Sequence, residues 1–572
     1  MKRRFMAVLL TLSLVLMFVP INVKAEESNE ITSTTVVEAG KTYTIASLQS
    51  LKAFKTLVEA GNTFEGATVK LLANIQMGDG TKWVAIGASQ GSNASTSNMK
   101  AFKGIFDGQG YILKNITFVY ENKNTYGIGF FAKLDGAIVK NVKMTGVQYA
   151  VTNTSYYSYY DIGSIAGYIT NSTIDNCTVN GSMGPGAQSA GSSTPSMYNV
   201  GGIVGFATLN SNISNCTNNL NIDLFTSIYQ QKNSGVGYPI GGIVGRAYSC
   251  KITGCENKAR VAGGGGDTYG SEGLGGIVGY ITGQTTIDRC LNSGEAVAYN
   301  IGAGSVYSGP AGGIAGRTYG NNITITNCWN KGYVAPYGEC GGGIIGISGE
   351  TNCSASKEIY SGAKYPVTVF NCLNTGKIWS NNAGQGRFEN TASSSTGDGR
   401  GGIVGFVGNT SGVYIENSFN QGKVLEGSTY SSARFSGGII GSTELGSYLF
   451  AVINHNYLLD QNDGLATQRW YTSQSGSAGL KVLDSSKDYI GPMQDNADDI
   501  CNQLNTFAGK KTSWSVENSS NGISKVNVIT TEEARDYVNW IYDSDGEINN
   551  GLPYIDLQNI GYNQSKAAST RN

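Results

Sequence analysis

A five-residue phrase, Gly-Gly-Ile-x-Gly, constrains this chain more than any other feature of it. Intact or with one change, it begins at Gly163, Gly201, Gly241, Gly275, Gly312, Gly342, Gly401 and Gly437. The intervals run from 30 to 40 residues, apart from the 59 between Gly342 and Gly401. A unit of this period cannot bury its apolar face alone and must stack on its neighbours, as in solenoids and propellers. The stretch Gly312 to Val334 reads as three short strands: Gly312–Gly316, Ile323–Asn327 and Cys328–Val334. Propeller blades need four antiparallel strands joined by hairpins. Three strands without regular hairpin signals point instead to an all-β, parallel β-helix. It is expected to be right-handed, by the rule for parallel crossovers. About ten turns make a rod on the order of 50 Å long.

Aligning Ile-x-Asn-Cys across the units gives an aliphatic column of Leu113, Val139, Ile174, Ile213, Ile252, Ile287, Ile325, Val369, Ile415 and Ile453. Two residues later come mostly Asn, with Gly254, Arg289 and His455 as departures. Asn tolerates a left-handed bend and Gly takes it freely. Gly254 fits that reading; Arg289 and His455 run against it. Cys177, Cys216, Cys255, Cys290, Cys328 and Cys372 share the next position, so stacking lines them up as buried thiols filling an apolar column. Cys250, Cys340, Cys353 and Cys501 lie off this register. Asn218, Asn257, Asn292, Asn330, Asn374 and Asn420 form a second column, suited to amide hydrogen bonds between turns. Gly294, Gly332, Gly376 and Gly422 are read as a further bend.

The expected organisation is residues 1–25 as a signal peptide, 26–100 as an N-terminal cap and first strands, and 101–460 as the β-helix. Residues 461–556 are a C-terminal capping region and 557–572 a disordered tail. Lys2-Arg3-Arg4, the apolar run Met6 to Val19 and Val23-Lys24-Ala25 have the form of a secretory signal cleaved after Ala25. Localisation is expected to be secreted, extracellular or non-covalently surface-associated, with no transmembrane segment in the mature chain. Ser47 caps an amphipathic helix carrying Leu48, Leu51, Phe54, Leu57 and Val58, stopped at Gly61 and followed by a strand from Thr68 to Asn74. Near the end, Asp498 to Leu504 reads as a short helix and Val526 to Thr530 as a strand. Variable insertions at 183–199, 223–239, 262–273, 298–310, 379–399 and 425–435 crowd one edge if they leave from one corner.

The Gly-Gly-Ile-Val-Gly strands at 201–205, 241–245, 275–279 and 401–405 resemble the GLUG motif of bacterial secreted and surface proteins. Residues 102–116 and 127–142 are similar to the opening turns of such proteins, and Gly551-Leu552-Pro553-Tyr554 to their usual finish. The resemblance implies an extracellular, adhesin-like β-helix. The motif brings no catalytic residues with it, and fold does not fix function.

Net charge is −1, which gives no field for nucleic acid. The chain has one histidine, His455, and no C-x-x-C pair, so a His-based triad or zinc site is poorly supported. Asp543, Asp545 and Glu547 have the oxygen spacing of a weak Ca²⁺ site without the rest of an EF-hand loop. Carboxylate chemistry leaves Asp161, Asp267, Glu272 and Asp398, in or beside the insertions, as candidate catalytic residues. Asp175 and Asp288 share a register but stand three turns apart, roughly 14 Å, too far for a glycosidase pair.

An outward column follows the repeated phrase: Tyr168, Phe206, Arg246, Tyr280, Arg317, Ile347, Phe406 and Ser442. Aromatic and Arg side chains one turn apart make a track on which sugar rings stack and hydroxyls bond; alternatively, they start a bend and cover the rod. The leading expectation is a protein that binds an extracellular glycan or a surface protein, with Tyr168, Phe206, Arg246, Tyr280, Arg317 and Phe406 as ligand contacts. The alternatives are a polysaccharide lyase or glycoside hydrolase using loop carboxylates, and a passive envelope component.

Overall fold

A computed structural model describes residues 29–557 except 79–81, 90–96, 121–126, 152–160, 185–198, 225–238, 264–272, 299–309, 321, 337–339, 350–366, 379–398, 409–411, 425–435, 444–450, 455, 460–479, 484–488, 492–496, 520–521, 535–536 and 551. Within one turn, Thr173–Asp175 enters a first sheet, Thr178–Met183 a second, Asn199–Gly201 a third and Val204–Thr208 a fourth. The next turn repeats the order, and every rung pairs in parallel with its counterpart, as in Ile174↔Ile213 and Thr178↔Thr217. The result is a parallel β-helix with 13 strands in its first sheet, 8 in the third and 9 in the fourth. The first sheet runs on at both ends, with Thr42–Ile45 and Thr68–Leu71 before the repeats and Leu480–Leu483 after them.

Two details differ from the sequence reading. The repeated phrase is a corner between two strands, so the repeating turns pass through four sheets rather than three. At Gly312–Gly313 the chain leaves Ala311–Gly312 and re-enters the sheet at Ala315–Tyr319. A Cβ on Gly312 would stand 1.8 Å from the Ala315 carbonyl oxygen, and one on Gly313 2.2 Å from the Asn330 side chain. At these two positions a side chain would collide with the arch, while Ile314 between the strands is driven fully into the core. The column entry at Leu113 also fails: Val139 pairs with Phe106, and Leu113 lies in the second sheet opposite Met144. Asn115 bends there with φ 55°, so a look-alike motif marks a different corner of an early turn.

The bend position otherwise behaves as expected. Asn141, Asn176, Asn215, Asn327, Asn371 and Asn417 have φ between 47° and 56°, and Gly254 has φ 62°. Arg289 adopts the same conformation at φ 53°, with its Nε donating to Asp288 Oδ2 at 2.8 Å. His455 lies outside the described residues.

The interior holds the two predicted columns. The six register cysteines are buried free thiols, each turned towards the carbonyl two residues back, as Cys216 is to Ser214 at 3.2 Å. Cys250, Cys340 and Cys501 are also buried and free; Cys353 lies outside the described residues. Beside the thiols, Asn218, Asn257, Asn292, Asn330 and Asn374 each donate Nδ2 to the next amide oxygen at 2.8 to 2.9 Å, ending at Asn420. The same nitrogens also reach the carbonyl two residues on, as Asn330 reaches Gly332 at 3.0 Å. These buried amides are therefore satisfied rather than penalised. Gly294, Gly332, Gly376 and Gly422 each stand at a bend, as expected, and Gly332 shows a second reason for glycine: a Cβ there would stand 1.8 Å from the Gly294 carbonyl oxygen of the neighbouring turn.

Helix α1 (Leu48–Glu59) closes the N-terminal end. Ser47 and Ser50 form its capping box, and Leu51, Phe54, Leu57 and Val58 are buried against the first turns. Phe54 meets the rings of Phe64, Phe102, Phe106 and Phe131 at 5.0 to 6.2 Å. Towards the C-terminus, helix α2 (Ala497–Ala508), the hairpin Lys510–Ser519 with Gly522–Ala534, and the pair Trp540–Tyr542 with Pro553–Ile555 make a small unit. This unit lies along the side of the solenoid. Ile500, Leu504, Trp540, Tyr554 and Ile555 pack on the outward residues Trp329, Leu373, Phe419 and Tyr457 of four successive turns.

Candidate functional site

The fourth sheet brings the predicted track together. Tyr168, Phe206, Arg246, Tyr280, Arg317, Ile347, Phe406 and Ser442 are successive register partners, so they stand in one file along the rod. The following residues Ile169, Ala207, Ala247 and Ile281 are fully buried. Strand alternation therefore turns the track outward. Tyr168 and Phe206 meet edge to face at 5.6 Å. The Arg246 guanidinium lies 5.4 Å from the Phe206 ring and 5.1 Å from the Tyr280 ring, and Arg317 lies 5.9 Å from Tyr280. Such cation–π stacking fixes long side chains in place. The file is graded: Tyr168, Phe206 and Arg246 are half-buried, Tyr280 and Arg317 are buried at 9% and 8% exposure, and Ile347 and Phe406 pack with Cys340 and are buried.

Sequence reading missed the parallel file two residues on: Thr170, Thr208, Tyr248, Thr282 and Tyr319. Tyr248 is 42% exposed and Tyr319 36%, and Tyr168 Oη is 3.2 Å from Thr208 Oγ1. The period of two within each strand was the available signal.

Of the candidate carboxylates, Asp161 sits in the third sheet beside the track; Asp267, Glu272 and Asp398 lie outside the described residues. Asp161 is buried, and burial pushes its pKa up to about 6. Opposing that are the Asn199 amide, donating at 2.6 Å, and the positive charge of Arg246. Asp175 and Asp288 have structural partners, each accepting a hydroxyl and an Asn amide from the next turn. Asp543 accepts the main-chain N–H groups of Ile548 and Asn549, and Asp545 that of Glu547. Among the described residues no group of three His, Cys, Asp or Glu side chains is placed to hold a metal ion. Likewise no helix there is long and apolar enough to cross a membrane.

The insertions share a corner. Their flanks, Met183 and Asn199, Asp223 and Ile240, Gly263 and Leu274, Ala298 and Ala311, all join the second sheet to the third. A concavity of about 560 Å³ lies elsewhere, where the C-terminal unit meets the edge between the first and second sheets. Asp175, Asn215, Glu256, Leu291 and Lys331 line one wall, and Ile548, Tyr554 and Leu557 the other.

Stacked parallel sheets turned by a repeated Gly-Gly corner define a parallel β-helix bearing the GLUG motif. Residues 198–222 match the family model described as the GLUG motif. No curated protein matches the chain. Among solved structures, one from Bacteroides ovatus, described as a candidate immunoglobulin A1 protease, is 15% identical with a TM-score of 0.27, covering 84% of this chain and 91% of that one. Another, described as IgA1 protease, is 15% identical with a TM-score of 0.31, covering 72% of this chain and 24% of that one.

Proposed function

We propose that this protein is an exported, adhesin-like binding protein that recognises an extracellular glycan along the fourth sheet. The observation that carries this reading is the outward file Tyr168, Phe206, Arg246, Tyr280 and Arg317, in register and locked by cation–π contacts. Rigid aromatic faces and planar donors at one-turn spacing suit a ligand that repeats, because a ring stacked on one turn leaves the next at the following turn. Little conformational entropy is then left to lose on binding. The test is a glycan array followed by retention on the best immobilised polysaccharide. Phe206→Ala with Tyr280→Ala is expected to weaken retention by ~100-fold, about tenfold for each lost ring at ~1.4 kcal/mol. Undiminished retention overturns the assignment.

One observation favours the alternative, a carbohydrate-active enzyme: a carboxyl at about 6 beside the track is poised to hold or release a proton near neutrality. Asp161→Asn tests it in a reducing-end release assay on the same polysaccharide, where an enzyme loses its release and a binding protein shows none to lose. The variant has a second readout. Because the folded pKa lies above the ordinary carboxyl value of 3.8, ionised Asp161 opposes folding. The penalty is absent below about pH 4, grows as pH rises towards 6, and levels off above that. Asp161→Asn is thus expected to stabilise by ~3 kcal/mol at pH 8 and not at pH 4, read by thermal denaturation.

A further inference from the structure

The concavity beside the C-terminal unit coincides with a break in the outer Asn ladder. At the bend position each amide donates to an oxygen one turn back: Asn176 to Asn141, Asn215 to Asp175, Asn327 to Asp288, Asn371 to Asn327 and Asn417 to Asn371, at 2.7 to 2.9 Å. The turn after Asn215 has Gly254, which carries no amide. Among the described residues, no side chain therefore donates to Asn215 Oδ1, and Asp175 uses Oδ1 alone in its hydrogen bonds. Both residues line the concavity, with Glu256 one turn on and Gly254 between them.

The geometry points to a neutral saccharide seated in this concavity, with its hydroxyls replacing the amide that Gly254 lacks. Three features select that chemistry. The polar wall offers acceptors on Asn215, Asp175 and Glu256 and a donor on Lys331, whose Nζ stands 3.8 Å from the Trp329 ring centroid. Hydroxyls, each donor and acceptor at once, match that mixture. The carboxylates of Asp175 and Glu256 are balanced by Lys331 and by Lys258, whose Nζ stands 3.1 Å from Glu256 Oε2, so no net charge is left to draw an ionic ligand and a neutral molecule is favoured. The opposite wall of Ile548, Tyr554 and Leu557 is apolar and fits the C–H face of a sugar ring. The volume, about 560 Å³, lies within the range of small-molecule sites. The inference goes beyond the fourth-sheet reading and does not depend on it.

Gly254→Asn tests the site directly. With φ 62° the position already has the conformation its Asn counterparts adopt, so the variant is expected to fold and to complete the ladder. Titration calorimetry of the full chain with maltose, cellobiose, lactose and chitobiose is expected to show binding of at least one disaccharide. Gly254→Asn should weaken it at least tenfold, and Lys331→Met should also weaken it. The Phe206→Ala, Tyr280→Ala protein should bind as before, which separates this site from the track. The proposal is overturned if no disaccharide binds, if Gly254→Asn binds as well as the parent, or if spermidine competes for the site.

Discussion

Turns early and late in this solenoid share one interior and differ on one outward file of the second sheet. In register order that file reads Thr178, Thr217, Glu256, Leu291, Trp329, Leu373, Phe419 and Tyr457. Thr178, Thr217 and Glu256 are polar and half-buried, Leu291 is half-buried at the edge of the C-terminal unit, and the last four are apolar and nearly fully buried beneath it. The bend asparagines change in step. Asn176 and Asn215 are exposed, whereas Asn371 and Asn417 are fully buried and reach across to Val538 and Leu504 carbonyls at 3.0 and 3.2 Å. The interior amide ladder continues unbroken through both halves. A parallel β-helix thus reserves its inside for stacking and leaves its outside free to be written turn by turn.

The largest expected effect comes from removing what the late turns are written for. Trp540 is buried, packs 6.3 Å from Phe419, and donates its indole N–H to Asn371 Oδ1 at 2.5 Å. Trp540→Ala is expected to cost ~3–5 kcal/mol in the docking of the C-terminal unit. Chemical denaturation followed by hydrogen exchange should show α2 and the Trp540–Tyr542 strand losing protection, while the Cys216 to Cys290 turns keep theirs. Equal loss in both halves would mean that the unit supports the whole rod and that the comparison is wrong.

How far these features could be read beforehand follows the same division. The inside was legible: cysteine and asparagine columns, left-handed bends and the capping helix all follow from residue type and spacing. Arg289 shows the limit of residue type, because the neighbouring Asp288 holds its side chain while it bends where Asn usually does. The four-sheet turn was hidden because Gly-Gly-Ile-x-Gly has the apolar content of a strand. Its role as a corner depends on how closely Asn330 approaches Gly313. Leu113 was misplaced because Lys114-Asn115 imitates the bend motif at another corner. The track file was readable from its spacing, and its outward facing follows from the burial of Ile169 and Ala207. The groove was not legible: Trp329 and Tyr554 are 225 residues apart, and only folding stacks their rings at 5.9 Å. The switch from Thr217 to Leu373 in one register was, however, a visible sign that something covers the later turns.

The finer test substitutes the same residue in each half. Asn176 and Asn371 occupy the same register with φ of 50° and 54°, and each donates to the preceding oxygen, at 2.8 and 2.7 Å. Alanine at either position meets the left-handed penalty of ~1–2 kcal/mol and loses one ladder bond. Those shared costs cancel in the difference. What remains at Asn371 is the Trp540 indole N–H and the Val538 carbonyl, which lose this partner in a buried site, and the Asn417 amide, which keeps only its bond to the Leu504 carbonyl. Asn371→Ala is therefore expected to destabilise by ~2–3 kcal/mol more than Asn176→Ala in urea denaturation. In the Trp540→Ala background that excess should shrink, since two neighbours in contact do not contribute additively. An excess that persists undiminished would assign the cost to the ladder itself, and the late turns would then differ from the early ones in burial alone.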